Sequence, residues 1–209
     1  GSETNAATWV DWTYYTEALV NVAGNLEAVV GFETDRMTGL ILDETTFRSE
    51  LEVVKNERRM SIDDSVSGTL TETLYRSAFG NHAYGWPTLG AMEHLEALTP
   101  EDLRQFYKTY YAPNNATVVV VGDLDFEFVL ELLAKSYSPI PAQPIPNYEP
   151  TLFAEPHNRD LIHLAQPISA PQLAVGFLAL AQSDPRYPAL EILIELLVNG
   201  DSSRLYRRL

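Results

Sequence analysis

The 209 residues predict an α/β (α+β) fold, in which helical segments and short β-rich segments follow one another along the chain. Three observations carry that expectation. Apolar residues recur at helical spacing in several separate stretches, and runs rich in β-branched or aromatic residues stand between them. No short fixed repeat is present, which excludes a solenoid. The hydrophobic fraction of 45% is enough for a real core in one large domain or two small ones.

In chain order, residues 5–16 are rich in Thr, Trp, Tyr and Val and predict a strand with large side chains on both faces, hence one covered on each side. Residues 23–41 carry Leu26, Val29, Val30, Met37 and Leu40 at helical spacing. A second helix is expected over 44–60, with Phe47, Leu51 and Val54 as its apolar stripe, and a shorter one over 68–79. Gly80 to Pro87 reads as a loop. Thr99-Pro100-Glu101-Asp102 is a helix start, with Thr as cap, Pro in first position and acids in the first turn. Ala116 to Val121 is a continuous β-branched run that predicts a buried strand. A helical pattern resumes over 125–138. Six prolines among the nineteen residues from Ser138 to Pro156 predict an extended linker. Two strands, 159–165 and 171–180, and a helix over 185–198 follow. Asn199-Gly200-Asp201 ends that helix, and Asp201 or Ser202 caps another running to Leu209. With no initiator Met and a last helix stopping in mid-turn, the expectation is a fragment of a longer protein.

Charge and composition exclude several functions. The net charge is −15, from 29 acidic and 14 basic side chains, so a nucleic acid or an anionic membrane is not an expected partner. Cysteine is absent, which removes disulfides, iron–sulfur clusters and thiolate zinc sites. No apolar run approaches the roughly 18 residues that cross a bilayer, so membrane insertion is not expected.

The most informative chemistry lies in the helix over 44–60. At about 100° per residue, Glu50 and Glu57 are about 20° apart in azimuth and about 10 Å apart along the axis, at the edge of the apolar stripe. That is too far to share one small cation directly, but one carboxylate can bind a metal while the other orients a neighbouring ligand or a water. The competing reading is that both glutamates form surface ion pairs with the nearby Arg and Lys. Neither H-x-x-E-H nor H-E-x-x-H occurs. His82, His94, His157 and His163 read as hydrogen-bonded or solvated histidines. Ser202-Ser203 reads as a helix cap, since no G-x-S-x-G accompanies it, and no phosphate-binding glycine loop is present.

Several motifs follow one another along the chain. They are Asn5-Ala6-x-Thr8 with Asp11, Thr13 and Tyr15; Asp35-Arg36-Met37; and Phe47-x-x-Glu50 through Val53-Val54 to Glu57. Asn81-His82-x-Tyr84-Gly85-x-Pro87-x-x-Gly90 follows, then Leu98-Thr99-x-x-Asp102-Leu103-x-x-Phe106-Tyr107. Tyr111-x-Pro113-x-Asn115 leading into VVVVGD, and Ser202-Ser203-Arg204-Leu205, complete the series. In this order the motifs resemble the pitrilysin/insulinase (M16-type, inverted zincin) family of zinc metallopeptidases.

The resemblance implies a zinc metalloendopeptidase parent that hydrolyses peptide bonds in peptides or unfolded polypeptides. Glu57 would be its carboxylate zinc ligand beside two histidines, and Glu50 a helper on the same helix face. Asn5 and Ala6 would lie on an edge strand whose backbone pairs with an extended peptide substrate. The implied fold is a half-shell domain, a mixed and largely antiparallel sheet with helices on one face, present here only in part. Residues 1–138 would be the later portion of a first domain, 139–156 the linker and 157–209 the opening of a second. The H-x-x-E-H segment is expected before Gly1 and assisting Arg and Tyr residues beyond Leu209, so the chain alone is expected to be inactive and to hold Zn2+ weakly. The alternative is a non-catalytic structural or partner subunit of the same family. Expected partners are peptide substrates, the remainder of the parent chain or a partner subunit, and a second copy paired through an open sheet edge. The acidity favours basic peptides through long-range steering, and analogy with bacterial relatives suggests the periplasm.

Overall fold

A computed structural model describes residues 3–149 and 161–208. Residues up to Leu173 form one compact unit, and those from Ala174 onward a second. The first unit opens with strands β1 (Glu3–Thr8) and β2 (Thr13–Ala18), then helices α1 (Asn25–Thr38) and α2 (Glu44–Arg58). One π-helical turn (Arg59–Asp63) leads into α3 (Val66–Phe79), followed by α4 (Met92–Ala97), α5 (Pro100–Tyr110) and α6 (Phe126–Tyr137). Helix α7 (Tyr187–Leu197) belongs to the second unit.

The expected strand over 5–16 is an antiparallel hairpin, with Ala6 opposite Tyr15 and Thr8 opposite Thr13. The Trp9 N–H bonds the Trp12 carbonyl at 2.9 Å, and Val10-Asp11 makes the turn. The run of large side chains obscured that break. They are not covered on both faces either: Trp9, Trp12, Tyr14 and Tyr15 are all exposed.

Helices match their capping chemistry. Asp43 Oδ1 accepts the Thr46 N–H at 2.8 Å, and Asp125 Oδ1 accepts the Phe128 N–H at 2.8 Å. At α5, Thr99 Oγ1 accepts the Asp102 N–H while Asp102 Oδ2 accepts the Thr99 N–H, a reciprocal box behind Pro100. The short helix α4 was not expected, because six residues are too few for a periodic signal.

The β-branched run 116–121 departs most from expectation. It pairs with no strand among the described residues, and Val119 and Val121 are 77% and 89% exposed. Residues 171–180 are likewise unpaired, and so are 161–165; residues 159 and 160 lie outside the described residues, as do 150–156 of the Pro-rich segment and His157. A strand is defined by its neighbour, and sequence reports propensity alone. The helix expected from Ser202 is a series of turns. Gly200, at φ 76°, reverses the chain so that the N–H groups of Arg204 and Leu205 reach the Leu196 and Leu197 carbonyls. Those carbonyls end α7 and have no partner within it.

Arg58 joins the parts of the first unit around α2. It is buried, and its guanidinium donates to both carboxylate oxygens of Glu72 on α3 at 3.0 and 3.1 Å. It also donates to the Gly90 carbonyl at 2.8 Å and lies 3.3 Å from Asp63 Oδ1. The π turn after it packs under α3 so closely that a Cβ on Gly68 would stand 2.0 Å from the Ser61 carbonyl oxygen. Glycine is required there.

Two outcomes are expected in urea unfolding. Glu72→Ala, which leaves Arg58 without its main partner, lowers stability by about 3 kcal/mol. Gly68→Ala lowers it by about 1–3 kcal/mol through overpacking; an unchanged midpoint in either variant would contradict this account of α2, the π turn and α3.

Candidate functional site

The predicted site residues fall in two places. Along α2, Phe47, Leu51 and Val54 are half-buried and Arg58 is buried, while Glu50 and Glu57 are exposed at the rim. Ion pairing explains other acids of this helix: Glu44 pairs with Arg48, and Glu52 with Lys55 at 2.9 Å. The remaining cations are occupied as well, Arg58 by Glu72 and Arg59 by Asn56 Oδ1 at 2.7 Å. Among the described residues, Glu50 and Glu57 take no hydrogen bond or ion pair. The surface-pair reading therefore holds for their neighbours and not for them.

These carboxylates do not make a metal site by themselves. No group of three or more His, Asp or Glu side chains that could hold a metal ion occurs among the described residues. The described histidines are engaged or solvated: His94 stacks on Trp86 at 5.5 Å, His82 Nδ1 accepts the Tyr84 N–H at 3.1 Å, and His163 is exposed. Ser203 is buried, and its Oγ accepts the Tyr206 N–H at 3.4 Å, a turn-capping role.

The second place is the hairpin. Thr16 Oγ1 donates to the Asn5 carbonyl, so Asn5 turns its backbone toward β2. Alternation then turns the Ala6 backbone outward. The Ala6 N–H meets only Asn5 Oδ1, at 2.9 Å, a side-chain partner in place of a strand. Beside this edge lies an open groove of about 440 Å³ lined by Thr4, Asn5, Ala6, Tyr15, Arg36, Leu40 and Tyr111. Glu50 and Glu57 are not among its lining residues.

Arg36 anchors the groove. Its guanidinium sits 4.6 Å from the Tyr15 ring centre and 4.7 Å from that of Phe32, with Glu33 at 2.9 Å and Glu17 at 3.5 Å. Tyr107 ties the end of α1 to α5, its hydroxyl donating to the Arg36 carbonyl at 2.6 Å and accepting the Leu40 N–H at 3.3 Å. The Tyr15 and Tyr111 hydroxyls meet at 2.6 Å. Burial, reinforced by that hydrogen bond, pushes Tyr111 well above the usual tyrosine range, so it is a neutral phenol. Sequence reasoning placed Tyr15, Arg36 and Tyr111 in motifs without a shared role. The visible signal was Glu33 and Arg36 three residues apart on one helix; the partners from β2 and α5 are remote in the chain.

Residues 97–209 match the family model described as the peptidase M16 inactive domain. The zinc protease PqqE of Helicobacter pylori is 31% identical over all of this chain, which covers 47% of that protein. The uncharacterized zinc protease YmxG of Bacillus subtilis is 27% identical over 99% of this chain and 49% of its own length. Among solved structures, a protease from Helicobacter pylori superposes with a TM-score of 0.78 at 28% identity, over 99% of this chain and 50% of that one. The chain thus spans about half the length of the curated relatives it matches.

Glu33 generates a pH prediction. Burial pushes its carboxyl up from the ordinary value; Arg36 pulls it back, and Glu17 raises it again. A carboxyl raised by folding stabilises the fold below its unfolded pKa, and that contribution is lost as pH rises through the folded value. Glu33→Gln is therefore expected to be more stable than the parent at neutral pH, with the advantage shrinking on acidification. Thermal midpoints across that range test it, and an advantage that grows toward acid would reverse the sign.

Proposed function

Because the chain belongs to the peptidase M16 family, we propose that it is part of a zinc metalloendopeptidase acting on peptides or unfolded polypeptides, in which β1 receives the substrate as an added strand. The observation that carries this reading is the outward Ala6 N–H, which lacks a strand partner. An extended peptide supplies a carbonyl there, giving affinity with little demand on its sequence. In this reading Glu57 is the carboxylate turned toward the zinc of the complete enzyme, and Glu50 steadies a neighbouring ligand or water from the same face. Their freedom from ion pairs supports that assignment. Zinc would supply Lewis acidity to such a site. The described residues offer one ligand of a larger set, so the chain alone is expected to be inactive, with the remainder of the site coming from the rest of the parent or a partner subunit. The unpaired run 116–121 also favours pairing with a second copy of the chain when it is isolated.

One observation favours a second reading, a non-catalytic peptidase-like subunit: the family model matching 97–209 is described as an inactive domain. The first reading divides the labour, with the α2 and β1 residues serving the reaction and the matched region shaping the enclosure.

Two measurements separate these readings. Elemental analysis of the complete parent is expected to find about one zinc, markedly reduced by Glu57→Gln; a parent that holds no zinc even when supplied belongs to the second reading. Proline at position 6 removes only an outward donor and is tolerated at a strand edge. Ala6→Pro is therefore expected to weaken binding of an extended peptide at least about tenfold, because the ring stands where the added strand must lie. Unchanged affinity would refute strand addition at β1.

A further inference from the structure

The turn that ends α7 places a carboxamide directly before an unshielded backbone nitrogen. Asn199 is the one asparagine of the sequence followed by glycine. Both residues are exposed, and Gly200 turns the chain at φ 76°. Space is open where a Cβ on Gly200 would stand. The Gly200 carbonyl accepts the Ser203 N–H at 3.0 Å, but the Gly200 N–H makes no hydrogen bond among the described residues.

We infer that Asn199 is a site of intramolecular deamidation whose pace is restrained by Glu195. The Gly200 nitrogen, after losing its proton to hydroxide, attacks the side-chain carbonyl carbon of Asn199. A C–N bond closes a succinimide, and Asn199 Nδ2 takes up a proton from water and leaves as ammonia. Water then opens either carbonyl of the ring, giving aspartate or isoaspartate, and nothing is oxidised or reduced. Glycine favours the closure because it has no Cβ to hinder the approach and adopts backbone angles that other residues resist. Glu195 opposes it. Its Oε1 accepts the Asn199 Nδ2 hydrogen at 2.6 Å, a bond from an i,i+4 neighbour that restrains rotation of the amide.

Either product alters the turn. Aspartate sets a carboxylate where a donor had met Glu195, two like charges at the C-terminal end of a helix. Isoaspartate also routes the main chain through the former side chain and lengthens it by one carbon. That insertion falls in the segment by which the Arg204 and Leu205 N–H groups reach the Leu196 and Leu197 carbonyls. The reaction thus loosens the tie between α7 and the residues after it as the molecule ages.

The test ages the full chain in mildly alkaline buffer and follows it by mass-spectrometric peptide mapping with an isoaspartyl assay. Conversion is expected at Asn199 ahead of every other asparagine, faster as hydroxide rises, and lost in Asn199→Gln, whose longer side chain closes the ring poorly. Glu195 is exposed, so Glu195→Ala should fold, which thermal melting checks. It is expected to convert about two- to fivefold faster, the worth of one helix-surface hydrogen bond. Hydrogen exchange on the isoaspartyl chain should show lost protection at the Arg204 and Leu205 amides. Conversion of other asparagines first, or none at Asn199, would overturn the site. An unchanged rate in Glu195→Ala would remove the restraint, and unchanged protection at Arg204 and Leu205 would remove the structural consequence.

Discussion

The ion pair of Arg58 with Glu72 is the constraint on which the first unit depends most. A guanidinium taken out of water is tolerated only when its hydrogen bonds are met. Arg58 meets that demand at its two terminal nitrogens, which draw together α3, the π turn and the chain at Gly90, while its buried Nε has no partner among the described residues. Helix α2 can then rotate little about its axis. With Arg58 turned inward, the residue before it, Glu57, is held at the rim about 100° away. A buried charge thus determines where an exposed one stands. Among the described residues the buried apolar side chains are Val30, Leu95 and Ala112.

What could be read from the amino acids was local. The cap at Thr99, the apolar stripe of α2 and the shared face of Glu50 and Glu57 follow from spacing and side-chain type, and all appear in the structure. The failures are pairwise. Residues 116–121 have the composition of a buried strand, yet composition names no neighbour, and none lies among the described residues. The 5–16 segment misled for the opposite reason, since aromatic residues continue through a turn that Asp11 makes. Arg58 stands in a run of Lys and Arg, and nothing in that run tells which of them will meet a carboxylate fourteen residues away.

The site divides in the same way. The common face of Glu50 and Glu57 was legible by helical geometry, while the roles proposed for them, and for Asn5 and Ala6, come from likeness to a family. The groove joining β1, Arg36 and Tyr111 depends on contacts across most of the first unit, including a hydrogen bond between residues 96 positions apart. Its electrostatics follow from that assembly. Glu17 and Glu33 come from different elements; burial raises Glu33, Arg36 opposes that rise, and the nearby Glu17 adds to it.

The Asn5 side chain gives the edge of β1 a further property. An incoming peptide carbonyl must displace Asn5 Oδ1 from the Ala6 N–H, exchanging one hydrogen bond for another of similar kind. The net gain at that position is small, and a bound strand leaves about as easily as the amide returns. The same amide covers a donor that would otherwise invite permanent cross-chain pairing. In the proposed strand addition, such an edge suits transient occupancy, in which a bound strand is gripped loosely, released, and replaced by the next.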